Sequence, residues 1–308
     1  MSDYLPEVIP AGDMLSGKLD LRSFHPPVGL AVVGDPVSHS KSPFFHNAAL
    51  RSCGLEMQYA RVHARPELFA ETVAALARQG CRGLNVTIPH KAAALDFVDE
   101  ADDFARRSGS VNTILFEDGR TIGRNTDGPG FAAAVLEEFG AAIAELRIMV
   151  LGAGGGAGRA IAVHCAMQGC QQLVLVNRTM EKSKAIADDL DSFFSQRHGT
   201  GVKSVPWDTA ALAAECANVD LVVNASSIGM RPGDPPALSV DAMRRGLMVY
   251  DTVYAGGDTP LVVAARGAGA KAANGLAMLL HQGALSFECW FHRIAPLDVM
   301  RRALLSNT

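Results

Sequence analysis

"LRIMVLGAGGGAGRA" (residues 146–160) is the stretch from which the fold is read. Apolar residues from Leu146 to Leu151 form a strand-like run, and a cluster of glycines follows. A stretch compatible with a helix begins after them. Gly152, Gly154 and Ala157 stand in G-x-G-x-x-A spacing. Glycines at such a turn remove Cβ atoms, so that backbone amides and a helix N-terminus can approach a pyrophosphate. The spacing alone is a weak signal. It gains weight from the strand before it, the helix after it and a second apolar run, "QLVLVN" (172–177). Two more runs, "DLVVNAS" (220–226) and "GLMVYDTVY" (246–254), extend the alternation of strand and helix expected of a Rossmann-type, dinucleotide-binding half.

The end of the second strand reads "NRTMEK" (177–182). A site for NAD places an acidic residue there to accept hydrogen bonds from the ribose 2'-hydroxyl. Asn177, Arg178 and Thr179 stand there instead. A carboxylate would repel a 2'-phosphate, whereas Arg178 can hold one in bidentate fashion and Lys182 adds charge one helical turn later. The expected cofactor is therefore NADP, held by Gly152, Ala153, Gly154, Gly155, Gly156, Asn177, Arg178, Thr179 and Lys182.

Upstream of this half the chain also alternates. "GLAVVG" (29–34) reads as a strand, "SPFFHNAALRSCG" (42–54) as a helix with Ser42 as its cap, and "RPELFAETVAALARQG" (65–80) as a second helix. "GLNVTIPHK" (83–91) reads as a strand ending at Pro89, which takes the first position of the next helix. "VNTILFEDGRTIGRNTD" (111–127) reads as a hairpin, because Asp118-Gly119 can adopt the positive φ values of a tight turn. The last apolar run, "GLAMLLHQGALSFECWFHRI" (275–294), must be a buried or docked helix. Residues 1–27 show no sustained period and read as an extension, wrapped on the surface or partly disordered.

Composition bounds the function. A chain of 308 residues with 48% apolar and 19% charged residues has room for two globular domains and is not disordered. The net charge of -4 and pI of about 6.1 give no basic surface for nucleic acid. Six cysteines without CxxC or Cys/His ligand spacing point to reduced thiols and no metal. No apolar run is long enough to span a membrane, and the polar start "MSDYLPEV" is no signal peptide, so a cytoplasmic location is expected.

Polar clusters "SHSKS", "NVTIPHK", "VNT" and "NTD" sit at ends of elements in the first half. Asn85, Thr87 and Asn112 within apolar strands would each cost ~1 to 3 kcal/mol if buried without partners. They are satisfied either by internal turn and strand bonds or by a polyhydroxylated ligand.

Taken together, "GDPVSHSKSPFFHNAAL", "GLNVTIPHK", "VNTI", "GRNTDGPGF", "GAGG", "NRT", "NASSIGM", "YDTVY" and "NGLAMLLHQ" resemble the shikimate dehydrogenase family in order and spacing over residues 29–292. The resemblance implies reversible NADP-dependent reduction of 3-dehydroshikimate to shikimate, a step toward the aromatic amino acids. It implies that Ser40 and Ser42 hold the substrate carboxylate, that Thr87, Asn112 and Gln282 meet ring hydroxyls, and that Asn85 and Tyr254 support them. Lys91 matches the catalytic lysine and Asp127 the aspartate beside it, and Thr252 and Gly275 fall at the cofactor. No catalytic role is implied for His39, Lys41 or His46.

The implied fold is α/β with two domains: a substrate domain of residues 1–127 plus 275–308, a Rossmann domain of 128–274, and the active site in the cleft. The partners implied are a small-molecule substrate and, for assembly, a homodimer. Two departures stand out: "GAGGGAG" carries one glycine more than the usual phosphate loop, and Gly256 replaces a common proline, loosening that loop. A quinate/shikimate dehydrogenase with wider substrate or NAD use is the rival reading, and a non-catalytic ligand sensor on the same fold is a second.

Overall fold

The computed structural model describes residues 7–198, 201–231, 233–254 and 257–307. They fall into two compact units, one running to Thr126 and resuming at Gln282, the other comprising Asp127–His281. Gly256 lies outside the described residues.

The first unit is built on a sheet of β1 (Ile9–Pro10), β2 (Val28–Gly34), β3 (Gln58–His63), β4 (Gly83–Val86), β5 (Glu100–Ala101), β6 (Thr113–Glu117) and β7 (Arg120–Arg124). Their spatial order is β1-β3-β2-β4-β6-β7-β5. Every residue of β2 is buried, as suits an interior parallel strand with β3 and β4 on either side. β6 pairs antiparallel with both β4 and β7, and its hairpin with β7 turns at Asp118 (φ 50°) and Gly119 (φ 75°), the expected positive pair. Helices α1 (Ala11–Leu15), α2 (Ser42–Ser52), α3 (Phe69–Arg78), α4 (Lys91–Phe97) and α5 (Asp103–Ser108) connect these strands.

Three local expectations change. The N-terminal segment does not merely wrap the surface. β1 adds a parallel edge to β3, with Ile9 opposite Val62, and Ile9, Ala11, Met14, Leu21 and Phe24 are buried in the core of this unit. A two-residue strand and a five-residue helix are too short to show a period, so only their packing reveals them. Pro89 lies in the turn before α4, held by the His90 amide donating to the Thr87 carbonyl at 2.9 Å, and the helix starts at Lys91. Ser42 is the first residue of α2 rather than its cap; the cap position falls on Lys41, without a side-chain bond.

The second unit is a parallel sheet of β8 (Arg147–Leu151), β9 (Gln172–Val176), β10 (Lys203–Val205), β11 (Leu221–Asn224), β12 (Met248–Asp251) and β13 (Lys271–Ala273). The order is β10-β9-β8-β11-β12-β13, which is the doubly wound arrangement with its reversal beside β8. β10 and β13, of three residues each, escape a reading based on apolar runs. Helices α6 (Asp127–Phe139), α7 (Gly156–Gln168), α8 (Met180–His198), α9 (Thr209–Cys216) and α10 (Pro260–Gly267) complete this unit. The chain regains the first unit within α11 (Leu276–Phe291), and α12 (Leu297–Leu305) then packs on α2. Among the described residues no helix is long and apolar enough to cross a membrane, and no cluster of His, Cys, Asp or Glu could hold a metal ion.

Candidate active site

In the first unit the candidate residues lie at the carboxyl ends of β2 and β4, on β6's approach and on α11. The Ser42 amide donates to Ser40 Oγ at 3.4 Å, so the two serines are neighbours on one tight loop, and Arg61 Nε fixes that loop through the Ser40 carbonyl at 2.9 Å. Thr87 follows β4 with its amide on the Val33 carbonyl. Its methyl group packs where a side chain at Gly34 would stand, which turns the hydroxyl away from that strand. Lys91 begins α4, and its carbonyl accepts from the Val111 amide at 2.9 Å.

Asn85, Asn112 and Gln282 share one buried network. Asn85 Nδ2 donates to the Asn112 carbonyl (3.1 Å), Thr113 Oγ1 (3.1 Å) and Ser286 Oγ (2.9 Å), while its oxygen accepts from the Tyr59 hydroxyl at 2.7 Å. Both ends of the Asn85 amide are thus committed to protein, the internal account of its burial. Asn112 Nδ2 donates to Thr126 Oγ1 (2.9 Å) and, at 3.5 Å, to Gln282 Oε1, and Asn112 Oδ1 accepts from the Thr126 amide at 2.8 Å. The long bond to Gln282 is the one a ligand hydroxyl can most readily replace, since hydrogen bonds weaken with distance. Thr113 and Thr126 lie within the clusters "VNT" and "NTD" without a role assigned there, and Ser286 lies in none of the clusters read from the sequence.

In the second unit, Asp127 opens α6 and is buried. Tyr254 belongs to the same unit, and burial together with the negative charge of Asp127 pushes its phenol pKa up. Beside them, Thr252 and Gly275 meet: a Cβ on Gly275 would collide with the Thr252 carbonyl. The Asp251 carboxylate, fully buried at the end of β12, accepts from Asn224 Nδ2 (2.9 Å) and the Thr259 hydroxyl (2.6 Å). Burial raises its pKa, and these bonds oppose the rise.

The phosphate loop tests whether a dinucleotide fits. Gly152 has φ of 82°, and a Cβ there would lie 2.7 Å from the Ser226 amide nitrogen. A Cβ on Gly154 would lie 2.9 Å from the Asn177 side chain. The third close approach is at Gly158, whose Cβ would strike the Gly152 carbonyl. Gly155 and Gly156 stand exposed at the start of α7, where first-turn amides lack helical partners and the helix dipole favours an anion. Asn177 links this loop to the next, accepting from the Gly154 amide (3.2 Å) and donating to the Thr179 carbonyl (3.0 Å). Arg178 and Asn177 line a cavity of about 440 Å³ with Met180, Pro206, Trp207 and Ile228. Its apolar walls and single guanidinium suit an adenosine carrying a 2'-phosphate. Lys182 is exposed on the first turn of α8.

Residues 32–114 match the shikimate dehydrogenase substrate binding domain, 134–226 the shikimate / quinate 5-dehydrogenase family and 275–305 the shikimate 5'-dehydrogenase C-terminal domain. The chain is 41% identical over 281 residues to the shikimate dehydrogenase (NADP(+)) of Symbiobacterium thermophilum, covering 90% of this chain and 93% of that one. It belongs to the shikimate dehydrogenase family. Among solved members, shikimate 5-dehydrogenase from Thermus thermophilus, in complex with NADP(H) and shikimate, superposes with a TM-score of 0.80 at 34% identity, covering 91% of this chain and 100% of that chain. Quinate dehydrogenase from Corynebacterium glutamicum, in complex with NAD, also gives a TM-score of 0.80, at 29% identity over 91% of this chain and 99% of that chain.

Proposed function

We propose that this family member is an NADP-dependent shikimate dehydrogenase that interconverts 3-dehydroshikimate and shikimate on the route to the aromatic amino acids. Arg178 carries the choice of cofactor: it stands in the adenosine-sized cavity where an NAD site would place a carboxylate. NADPH bound along Gly152–Gly156 and Arg178 supplies the hydride.

The first unit supplies substrate recognition. Ser40 and Ser42 donate to the carboxylate, while Thr87, Asn112 and Gln282 meet the ring hydroxyls. Reduction of the ketone leaves negative charge on its oxygen, and a cation beside that oxygen stabilises the charge and then delivers a proton. Lys91 is the residue assigned to both tasks. In the oxidative direction its neutral amine takes the hydroxyl proton. Asp127 is assigned to accept a hydrogen bond from a neighbouring hydroxyl, with Tyr254 beside it. The setting is cytoplasmic, a reading supported by six cysteines that are all free.

Steady-state rates with shikimate and quinate, each with NADP and NAD, test the assignment. The pair shikimate and NADP should lead in kcat/KM by roughly tenfold or more over every other pair. In Arg178→Ala the KM for NADP should rise about ten- to a hundredfold while that for NAD holds, the value of a charge-assisted hydrogen bond. A quinate or NAD advantage in the unaltered protein refutes the reading and favours the quinate dehydrogenase.

A further inference from the structure

His46 is fully buried, and neither ring nitrogen has a hydrogen-bond partner. Such atoms are rare in folded proteins and require a physical reason. The imidazole lies parallel to the Tyr59 ring, with centroids 4.4 Å apart and an interplanar angle of 9°. Phe45 and Trp290 flank it at 4.6 and 5.4 Å, and α11 comes close through Gly283, where a side chain would run into Phe45. Burial pushes the His46 pKa down to about 3, so the ring stays neutral. It serves as a flat, uncharged plate.

What the plate holds is Tyr59. The neighbouring residue on α2, Asn47, grips the Tyr59 backbone from both sides, accepting from its amide at 2.8 Å and donating to its carbonyl at 3.0 Å. Ring face and backbone are therefore both fixed by α2. The Tyr59 hydroxyl donates to Asn85 Oδ1 at 2.7 Å. Because Asn85 Nδ2 faces the Asn112 carbonyl, which can only accept, a flipped amide would set oxygen against oxygen there, while Thr113 and Ser286 hydroxyls already bonded elsewhere would have to turn. Tyr59 supplies the donor that matches the observed orientation.

We propose that Tyr59, held flat by His46, is a positioning residue for substrate binding that sets Asn85 and, through it, the Asn112–Thr113 segment that reads the ring hydroxyls. The proposal rests on the functional reading above. It predicts a loss in substrate binding without a loss in cofactor binding.

The test compares Tyr59→Phe, His46→Phe and His46→Leu in the full-length protein, by shikimate and NADP KM, kcat and thermal midpoint. In Tyr59→Phe the buried Asn85 oxygen loses its donor, so the shikimate KM should rise about tenfold, with the NADP KM within about twofold. His46→Phe retains a stacking ring and should stay close to the unaltered protein, whereas His46→Leu should approach Tyr59→Phe. Parallel increases in both KM values, or a shikimate KM unchanged in Tyr59→Phe, overturn the proposal. If Tyr59→Phe fails to fold, the histidine pair decides: equal shikimate KM values in the two variants overturn it. An unaltered protein that does not oxidise shikimate with NADP overturns the functional reading and this proposal with it. Normal turnover with indifferent variants overturns the proposal alone.

Discussion

In the first unit, Asn85, Asn112, Thr113 and Ser286 are buried and hydrogen-bonded to one another, so under the proposed function side-chain identity does the selecting there. In the phosphate loop of the second unit, Gly152, Gly154 and Gly158 leave no room for side chains, which under the proposed function leaves backbone amides to meet the ligand. The difference follows the ligands assigned to each. Ring hydroxyls at fixed positions need matched donors and acceptors, each costly if left unpaired. A pyrophosphate asks only for close amides and a favourable dipole. The proposed function therefore puts sharp selectivity in the first unit, and in the second only at Arg178, which lines the cavity.

The largest expected effect probes the first unit at its reacting group. Lys91→Ala should lower kcat about 100-fold or more with a much smaller change in NADP affinity. Near-normal turnover would take Lys91 out of the mechanism and leave this unit with recognition alone. In the second unit, Gly158→Ala forces a Cβ against the Gly152 carbonyl. The thermal midpoint should fall by several degrees and NADP affinity by about tenfold, with the shikimate KM at saturating NADP within about threefold. Equal damage to both ligands would mean that the two modes of recognition are not separable.

A smaller effect distinguishes the cores. His46 in the first unit and His164 in the second are buried, and burial alone lowers their pKa values from 6.5 to about 3 and about 4. The unfolded chain takes up these protons first as pH falls. The stability contributed is complete above pH 6.5 and is lost progressively below it. In His46→Phe one of the two protons drops out, so unfolding free energies from urea titrations at pH 6.5 down to pH 4 should decline less steeply, by up to about 1.4 kcal/mol per pH unit. An unaltered slope would place the acid sensitivity elsewhere.

Much of the second unit could be read directly, because its strands are buried on both faces and appear as unbroken apolar runs such as "RIMVL" and "QLVLV". Short edge strands β1, β10 and β13 could not, since two or three residues carry no period. Ser40, Ser42 and Lys91 stood out as polar groups at element ends. Tyr59 and Ser286 did not, because a tyrosine or serine in an apolar stretch is ordinary until its partners are known.

The sequence by itself determined the two α/β halves, the phosphate loop and the missing carboxylate at Arg178, because each is a local pattern whose chemistry depends on neighbours along the chain. Only the tertiary structure decided that Gly158 packs against the Gly152 carbonyl, that Ile9, Ala11, Met14, Leu21 and Phe24 belong to the core, and that the Asn85 amide is bonded within the protein. Those outcomes depend on atoms brought together from distant parts of the chain, where van der Waals contact and hydrogen-bond pairing, not spacing, determine which groups meet.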